Sequence, residues 1–497
     1  MRLKPDNEKF LRLSRGSRRV PVCGEKAVPG LDPALLYRSL FAASADSFLF
    51  ESGGGPGATA RYSLMGAGNH RSIVAANDRA FFSDNGHTRS APGSPLFCLE
   101  RLNFDNAVPA VDYLPHFWGG WVGFIGYEVG AGLARHNARD ELPLPDLHFL
   151  QVDRMFAYDH ATGTLKYIVA AEIAGDAASH YDGCADEIAR VWSNLDALLS
   201  DWQKEGHGEA GTTPHPVEKN NPAPKLRANV SREQYVSMVE KAKRYIEAGD
   251  IYQANLSQRF EADYPGDPLA LYLKLRSVNP SPFSGYLKFK DLALVSSSPE
   301  RLVKLEGNRL ETRPIAGTRR RGSTSVEDDA LSAELLLNEK EKAEHLMLVD
   351  LERNDLGRIC EYGSVRVTDL MFLERYSHVS HIVSNIEGRT VAGISPADIL
   401  RAVFPGGTIT GCPKIRCMEI IDELEPTRRG PYSGSFGYIG FAAHMDFNII
   451  IRTIVVKDGK AYFHVGAGIV ADSVPEKEYQ ETLDKAAAMM QALAANG

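Results

Sequence analysis

Long apolar runs are missing from this 497-residue chain, although 43% of its residues are hydrophobic. No segment approaches the ~18 consecutive apolar residues that a membrane-spanning helix requires, and the basic start at residues 1–20 has no apolar run behind it. Cysteine is also scarce. Six widely spaced residues without a Cys-x-x-Cys pair argue against a disulfide scaffold and a zinc ribbon. We therefore predict a cytoplasmic protein with reduced thiols and no membrane contact.

Basic charge is outweighed by acidic charge. The 56 Lys and Arg residues face 64 Asp and Glu residues, and the net charge of −8 gives no electrostatic reason to expect a nucleic-acid partner. A small-molecule substrate fits this composition better. An anionic substrate would need a local cationic pocket.

The order of predicted elements indicates an α+β fold. Alternating patterns predict strands at 154–158, 165–169, 292–296, 448–456 and 461–465. Amphipathic or capped segments predict helices at 178–199, at 396–402 and after a capping box at 231–234. Residues 203–228 are rich in Gly, Pro, Thr, Asn and charge, which predicts a loop or linker. Strands joined mostly by turns predict antiparallel sheets.

Two Glu-x-x-Glu pairs carry the first chemical signal. Glu341/Glu344 and Glu478/Glu481 lie in segments of helical character, where residues three apart share a face and repel each other. Either pair alone is typical of a solvated Glu/Lys helix surface. Together, the pairs would supply only oxygen ligands, which suits Mg²⁺, a hard ion that also binds substrate oxygens.

Five sequence blocks carry a resemblance to a known family. They are Pro-Ile-Ala-Gly-Thr at 314–318, Asn-Pro-Ser-Pro at 279–282, Ala-Glu-His at 343–345, Phe-Pro-Gly-Gly-Thr at 404–408 and Gly-Ala-Gly-Ile-Val at 466–470. With these blocks the chain resembles the chorismate-utilising synthases. The resemblance implies two antiparallel β-sheets packed as a sandwich with helices outside, as in anthranilate synthase component I. It also implies an N-terminal lobe at 1–202 and a chorismate-binding catalytic lobe at 229–497.

The resemblance implies a role for each matching residue. The four glutamates would surround the Mg²⁺ that grips the ring carboxylate of chorismate. His381 falls where the family has its proposed general acid, and a histidine can be tuned to give a proton near neutral pH. Arg452 and Tyr432 match positions that bind the enolpyruvyl carboxylate. The remaining matches are Thr408, counted with the catalytic residues, and the substrate-lining Gly317, Thr318, Gly468 and Lys485.

The residue at position 253 bears on which nucleophile attacks C2 of the ring. Isochorismate and salicylate synthases activate water with a lysine, whereas this chain has Gln253. A neutral amide cannot act as a general base near neutral pH. Ammonia is already nucleophilic and needs no such base, so the sequence favours amination of chorismate over hydroxylation.

Two aminated products remain open. Most aminodeoxychorismate synthases attach a motif lysine to the substrate, but this chain has Ala316, which is usual for anthranilate synthases. The segments at 253–256 and 405–411 instead resemble aminodeoxychorismate synthases. We predict the aminodeoxychorismate synthase branch, with a noncovalent route to 4-amino-4-deoxychorismate, and anthranilate plus pyruvate is the alternative. Ser284 departs from the apolar residue of tryptophan-binding relatives, so we expect weak or absent inhibition by tryptophan.

The source of ammonia is expected to be a second protein. None of the six cysteines lies in a Gly-x-Cys-x-Gly nucleophile elbow. We therefore predict a separate glutamine amidotransferase subunit in a heterodimer, for which ammonium salts should substitute. A catalytically dead binding subunit is the other class of hypothesis. The complete set of acidic residues, His381 and Lys485 argues against it.

Overall fold

The computed structural model describes residues 1–52, 61–76, 79–102, 108, 111–131, 142–204, 225–376 and 379–494. Within these ranges the chain forms twelve α-helices and one short 3₁₀ helix, Gly407–Ile409. The α-helices are α1 (Asn7–Ser14), α2 (Pro33–Phe41), α3 (Pro95–Glu100), α4 (Glu128–Ala131), α5 (Ala177–Lys204), α6 (Arg232–Glu247), α7 (Pro268–Val278), α8 (Ser325–Leu337), α9 (Glu339–Gly357), α10 (Pro396–Val403), α11 (Lys414–Leu424) and α12 (Pro475–Ala494).

The same ranges contain 25 strands. Those before residue 205 are β1 (Arg2–Lys4), β2 (Val22–Ala27), β3 (Asp46–Glu51), β4 (Tyr62–Ala67), β5 (Arg71–Ala76), β6 (Arg79–Asp84), β7 (His87–Pro92), β8 (Gly120–Ile125), β9 (Leu147–Val152), β10 (Arg154–Asp159) and β11 (Thr164–Val169). Those after residue 224 are β12 (Arg227–Ala228), β13 (Gln253–Asp263), β14 (Phe283–Phe289), β15 (Leu292–Ser298), β16 (Arg301–Glu306), β17 (Arg309–Thr312), β18 (Ile315–Arg320), β19 (Arg366–Arg375), β20 (Val379–Arg389), β21 (Gly411–Cys412), β22 (Ser435–Gly440), β23 (Met445–Asn448), β24 (Thr453–Lys457) and β25 (Lys460–Ile469).

The strands form two antiparallel sheets. The larger sheet has 13 strands in the order β1-β2-β11-β10-β4-β3-β14-β15-β24-β25-β13-β12, with β21 beside β13. The smaller sheet has 12 strands in the order β18-β20-β17-β16-β23-β22-β8-β9-β5-β6-β7, with β19 beside β20. β3 pairs with β14, and β8 pairs with β22. Both sheets therefore combine strands from before and after the predicted linker.

Apolar side chains fill three layers. The layer between the sheets includes Phe48, Phe124, Leu150 and Leu287. A second layer packs the outer face of the larger sheet under α1, α2, α5, α7 and α12, and a third packs the smaller sheet under α3, α9, α10 and α11. The sheets thus form a sandwich with helices outside, which confirms the predicted α+β fold.

Strand β15, at the centre of the larger sheet, leads into the candidate site. It lies between β14 and β24, and all seven of its residues are buried. Its last three residues are serines, small enough for the crowded interior and held by hydrogen bonds. Ser296 Oγ lies 2.7 Å from Thr453 Oγ1, and Ser298 donates to the Ile449 carbonyl at 2.6 Å. The strand therefore ends in a polar, buried region just before Glu300.

Most predicted elements are confirmed. The predicted strands at 154–158 and 165–169 are the paired β10 and β11. Those at 292–296 and 461–465 lie within β15 and β25, and the three predicted helices are α5, α6 and α10. Ser231 and Gln234 form the reciprocal capping box at the start of α6.

The predicted continuous strand at 448–456 is wrong. β23 ends at Asn448 in the smaller sheet, and β24 begins at Thr453 in the larger one. Between them the chain crosses from one sheet to the other, and Arg452 has a φ of 49°, outside the extended region. An apolar run looks the same in sequence whether it continues a strand or joins two sheets through the core.

The predicted linker at 203–228 overlaps the end of α5 and includes β12. Its residues 205–224 lie outside the described residues, and the division into two lobes stays a prediction. All six cysteines are free. In the part of the chain that the structure describes, we find no helix with both the length and the apolar character to cross a membrane.

Candidate active site

The motif strand β18 carries a bulge at its glycine. β18 pairs with β20 so that Thr318 lies opposite His381, and the register shifts between Ala316 and Thr318. Gly317, the extra residue, has a φ of 70°, which glycine adopts without strain. A Cβ built on Gly317 would also overlap the carboxylate of Glu341. The bulge therefore requires glycine and brings a predicted metal ligand against the motif.

His381 is buried beside the motif. It is 2% exposed, and its Nδ1 lies 2.9 Å from Thr318 Oγ1. Burial and the charge of Arg452 lower the pKa of His381 to about 4, although a hydrogen bond to the Gly317 backbone opposes both. The ring is therefore neutral near neutral pH. A neutral imidazole offers one donor and one acceptor nitrogen but is a poor acid.

Arg452 faces the same space as His381. Both line a small pocket together with residues 279–282 and Tyr376. Burial lowers the pKa of Arg452, and the Glu300 carboxyl raises it. A guanidinium nevertheless keeps its charge in proteins. A fixed cation in a desolvated pocket suits a carboxylate, because the attraction is stronger there than in water.

Glu300 is a candidate residue that the sequence patterns missed. It follows β15 and is 5% exposed, and its Oε1 has no hydrogen-bond partner among the described residues. Burial raises the pKa of Glu300 to about 7. The groups that oppose this rise are the Thr408 hydroxyl, the Ile315 amide and the cations Arg452 and Lys485. In the sequence, Glu300 is an acidic residue a few positions after a predicted strand, and its burial is visible only in the structure.

Strands β13 and β25 bring three polar side chains to one surface. A Cβ built on Gly468 would lie 2.6 Å from Gln253 Nε2. One built on Gly466 would lie 2.6 Å from Asn255 Oδ1 and 2.7 Å from the Tyr432 hydroxyl. The two glycines therefore leave the space that these side chains occupy. Burial raises the pKa of Tyr432 to about 12, so its hydroxyl remains a hydrogen-bond donor.

Several buried polar atoms around these strands have no partner. Thr408 lies in the 3₁₀ helix, and its hydroxyl is one of them. Within the described residues the others near the site are Gln253 Oε1, Asn255 Oδ1, Glu300 Oε1 and Glu341 Oε2. Unpaired buried polar atoms are uncommon in folded proteins and cost about 1–3 kcal/mol each. A polar ligand bound among these residues would supply the missing hydrogen bonds.

The four predicted metal ligands face one another from two helices. Glu341 and Glu344 lie in α9, and Glu478 and Glu481 lie in α12. The pKa of Glu344 is raised first by burial and then by the other three carboxylates. Burial and Glu481 likewise raise the pKa of Glu478. Such mutual repulsion is relieved by a cation, so the donor set fits a hard metal ion.

Two basic residues share this acidic region. Arg319 lies 2.7 Å from Glu341, and Lys485 lies 2.8 Å from Glu481. Lys485 also donates to the Gly466 carbonyl at 3.0 Å, and its side chain is 43% exposed, which places it at the rim. Among the described residues, no three His, Cys, Asp or Glu side chains are already arranged to hold a metal ion.

A comparison of the sequence with known proteins finds similarity to one enzyme family. Residues 45–491 match the family described as chorismate binding enzyme. The chain is 40% identical to anthranilate synthase component 1 of Acetivibrio thermocellus over 481 residues, 95% of each chain. It is 46% identical to aminodeoxychorismate synthase component 1 of Bacillus subtilis over 381 residues, 76% of this chain and 78% of the relative.

Solved structures share the fold. Anthranilate synthase component I from Streptococcus pneumoniae superposes with a TM-score of 0.72 at 33% identity, covering 93% of this chain and 98% of that structure. The menaquinone-specific isochorismate synthase MenF of Escherichia coli has a TM-score of 0.67 over 98% of both chains, at 17% identity. The match over residues 45–491 and the identity across nearly the whole length show that the chain belongs to the chorismate-binding enzyme family.

Proposed function

We propose that the protein aminates chorismate to 4-amino-4-deoxychorismate, the precursor of 4-aminobenzoate, with ammonia supplied by a partner. The observation that carries amination is Gln253. Its side chain is buried at the start of β13, and its Oε1 lacks a hydrogen-bond partner among the residues that the structure describes. An amide oxygen can accept a hydrogen bond from ammonia, but it cannot remove a proton from water near neutral pH.

The chemistry requires a proton at the 4-hydroxyl of the ring. Ammonia adds to C2, both ring double bonds shift, and the protonated 4-hydroxyl leaves as water. A second ammonia then adds at C4, both double bonds shift back, and the first amine takes up a proton and leaves as ammonia. Hydroxide is a poor leaving group, so the first step needs a proton donor whose pKa lies near the working pH.

Glu300 fits this role better than His381. Its raised pKa of about 7 keeps a substantial protonated fraction at neutral pH, whereas the pKa of His381, about 4, leaves a neutral ring. We therefore assign proton donation to Glu300 and treat His381, beside Thr318, as a residue that orients the substrate by hydrogen bonding. Binding of a dianion next to Arg452 would raise the pKa of His381.

Two parts of the site would bind the two carboxylates of chorismate. Arg452, in its desolvated pocket, and the Tyr432 hydroxyl would hold the enolpyruvyl carboxylate. Glu341, Glu344, Glu478 and Glu481 would hold Mg²⁺, which would polarise the ring carboxylate when bound. Lys485 at the rim and the Thr408 hydroxyl would contact the substrate between these two parts.

The sequence of the site supports the aminodeoxychorismate product. The Bacillus subtilis relative of that name reaches 46% identity, against 40% for the anthranilate synthase of Acetivibrio thermocellus. The segments at 253–256 and 405–411 also resemble that branch. They form the start of β13 and the turn that carries Thr408, so the resemblance falls on the site itself.

Anthranilate synthesis is the second candidate, and Ala316 favours it. This residue lies in β18, where most aminodeoxychorismate synthases have the lysine that attacks C2. Two anthranilate synthase relatives also match over 95% and 99% of the chain. In that reaction the C2-aminated intermediate loses pyruvate, and the ring becomes aromatic.

Product identity tests the proposal. We expect purified protein with chorismate, Mg²⁺ and ammonium, at mildly alkaline pH, to give 4-aminobenzoate only when aminodeoxychorismate lyase is added. Chromatography with mass detection distinguishes the two isomers by retention time and by reference standards. Anthranilate formed without the lyase would establish the second candidate. Chorismate left unchanged in both reactions would refute amination by this protein.

The partner follows from the same chemistry. Relatives of both kinds are named component 1, and no cysteine of this chain lies in a glutaminase elbow. We propose a separate glutamine amidotransferase that forms a heterodimer with this chain. The chain alone should be inactive with glutamine and active with ammonium. Glutamine-dependent turnover by the isolated chain would contradict this part of the proposal.

A further inference from the structure

One arginine in the Arg428-Arg429 pair is almost completely enclosed. The Arg429 side chain is 1% exposed, and its partner Glu425, four residues earlier, is 5% exposed. Arg429 Nε donates to Glu425 Oε2 at 2.9 Å, and Nη2 donates to Glu425 Oε1 at 2.7 Å. The tyrosine rings of Tyr127 and Tyr432 flank the guanidinium at 4.7 and 5.6 Å.

The remaining donors of Arg429 reach three separate segments. Nη2 donates to the Asn255 carbonyl at 2.6 Å, and Nη1 donates to the Ile409 carbonyl at 2.8 Å. Nη1 also donates to Ser433 Oγ at 3.2 Å. A guanidinium has five N–H donors in a fixed plane. All five are used here. Two of them reach segments that are distant in sequence, at Asn255 and Ile409, and one reaches Ser433, four residues along the chain.

Each of these segments carries a proposed substrate residue. Asn255 lies two residues after Gln253 in β13, Ile409 follows Thr408, and Ser433 follows Tyr432. The carboxylate of Glu425 adds a further link, because it accepts from the Ser257 amide and hydroxyl at 2.7 and 3.0 Å.

We propose that Arg429, held by Glu425, is the positioning residue that sets Gln253, Thr408 and Tyr432 in register around the substrate. This inference rests on the proposed function, since it assigns those three side chains to the chorismate site. Arg429 itself touches no substrate. It acts because a planar five-donor group can hold two backbone carbonyls and the Ser433 hydroxyl at fixed mutual distances, which three-donor lysine cannot do.

The test compares Arg429→Lys with Arg276→Lys. Arg276 also forms a bidentate ion pair, with Asp32 at 2.8 and 3.1 Å, and a bond to Glu51 at 2.7 Å, but it touches none of the three segments. Both variants lose a bidentate fork and keep a positive charge, and the Arg276 side chain is 29% exposed against 1% for Arg429. With chorismate, Mg²⁺ and ammonium, we expect kcat of Arg429→Lys to fall about 100-fold, as a displacement of about 1 Å can cause. We expect Arg276→Lys to keep the wild-type kcat.

Amide hydrogen exchange separates this inference from the proposed function. The Asn255 amide donates to the Thr410 carbonyl at 2.8 Å, and the Thr410 amide donates to Gly407 at 3.3 Å. Both should exchange faster in Arg429→Lys than in Arg276→Lys, whatever reaction the wild type catalyses. Wild-type protein that does not aminate chorismate would refute the proposed function alone. Unchanged kcat, or unchanged exchange at these amides, in folded Arg429→Lys would overturn the positioning role.

Discussion

At the scale of single residues, burial decides which side chain can give a proton. Glu300 and His381 are both enclosed, but desolvation always disfavours the charged form. It therefore raises the pKa of the carboxyl to about 7 and lowers the pKa of the imidazole to about 4. The same physical cause makes the glutamate a proton donor near neutral pH and leaves the histidine without a proton to give.

Glu300→Gln tests this assignment. The variant keeps the shape and one hydrogen-bond donor but has no acidic proton, so we expect turnover to fall about 10²–10⁴-fold. In the wild type, the rate per free ammonia should fall as the pH rises through about 7, because the protonated carboxyl is lost there. Glu300→Gln should lack this decline. A wild-type rate per free ammonia that stays level from about pH 6 to about pH 8.5 would contradict the assignment.

The stability of Glu300→Gln provides the control. The folded-state pKa of Glu300 lies above its ordinary value of 4.5, so folding is penalised as the pH rises from 4.5 to about 7, and the penalty is constant above that. Removing the charge should raise the melting temperature at about pH 8 and leave it unchanged at about pH 4. A lower melting temperature of Glu300→Gln at about pH 8 would mean that a partner stabilises the Glu300 carboxylate in the folded protein, so that burial does not destabilise it.

The sequence pointed to residues that lie in recognisable blocks and missed those defined by depth. Gly317, Gly468 and the four glutamates could be proposed as site residues, because the motifs that carry the family resemblance are local. Glu300 and Arg429 could not, since their importance depends on burial. Arg428 and Arg429 look identical in sequence, yet side-chain exposure is 23% for the first and 1% for the second.

At the scale of elements, the close approach of β25 to β13 shapes the part of the site around Gln253. A methyl group at Gly468 would meet the end of the flexible Gln253 side chain, at 2.6 Å from Nε2. At Gly466 it would meet the Leu256 carbonyl at 2.9 Å as well as two side chains. Gly468→Ala should therefore displace Gln253 at little cost in stability, whereas Gly466→Ala must move the backbone.

Three glycine variants distinguish these effects. We expect Gly468→Ala to melt near the wild-type temperature and to lose about 10–100-fold in kcat/KM for ammonium, and Gly466→Ala to lose about 1–3 kcal/mol of stability. Gly183→Ala in helix α5 meets no atom within 4 Å, so it should be neutral or stabilising by up to about 1 kcal/mol. If Gly468→Ala kept full ammonium-dependent activity, Gln253 would have no role in the reaction.

Helices α9 and α12 present their carboxylates to each other, which predicts a cation requirement. Glu344→Gln removes one proposed ligand, and we expect the Mg²⁺ concentration for half-maximal activity to rise at least about 10-fold. Glu339→Gln is the matched control on α9, because this side chain is 89% exposed and pairs only with Lys342 in the described structure. Activity that survives chelation, or an equal effect of both variants, would argue against a magnesium site there.

At the scale of the whole molecule, the two sheets share strands from both parts of the chain. Sequence patterns predicted the α+β class and most element positions, because alternation and capping are local, and the family resemblance implied the sandwich. They could not give the strand order, since the pairing of β3 with β14 joins residues far apart in sequence. The crossing at 449–452 was missed for the same reason, and that crossing positions Arg452.

A pocket between the sheets tests the choice between the two products. It has a volume of about 280 Å³ and is lined by Glu51, Phe283 and Ser284, among others. The Glu51 carboxylate is already held by Tyr272 at 2.6 Å and Arg276 at 2.7 Å, so it is engaged within the protein. Ser284 gives an indole ring no apolar wall. Phe50, Phe117 and Phe436 also line the pocket, so the expectation of weak tryptophan binding depends on Ser284 and on the engaged Glu51 carboxylate.

We expect tryptophan to bind more weakly than about 1 mM, a binding free energy smaller than about 4 kcal/mol, and to leave the rate of amination unchanged below that concentration. Calorimetry and steady-state rates with ammonium measure the two quantities. Ser284→Met restores the apolar residue of tryptophan-binding relatives and should increase the affinity. Inhibition of the wild type by micromolar tryptophan would instead indicate control by the end product of the anthranilate branch, and it would favour anthranilate as the product.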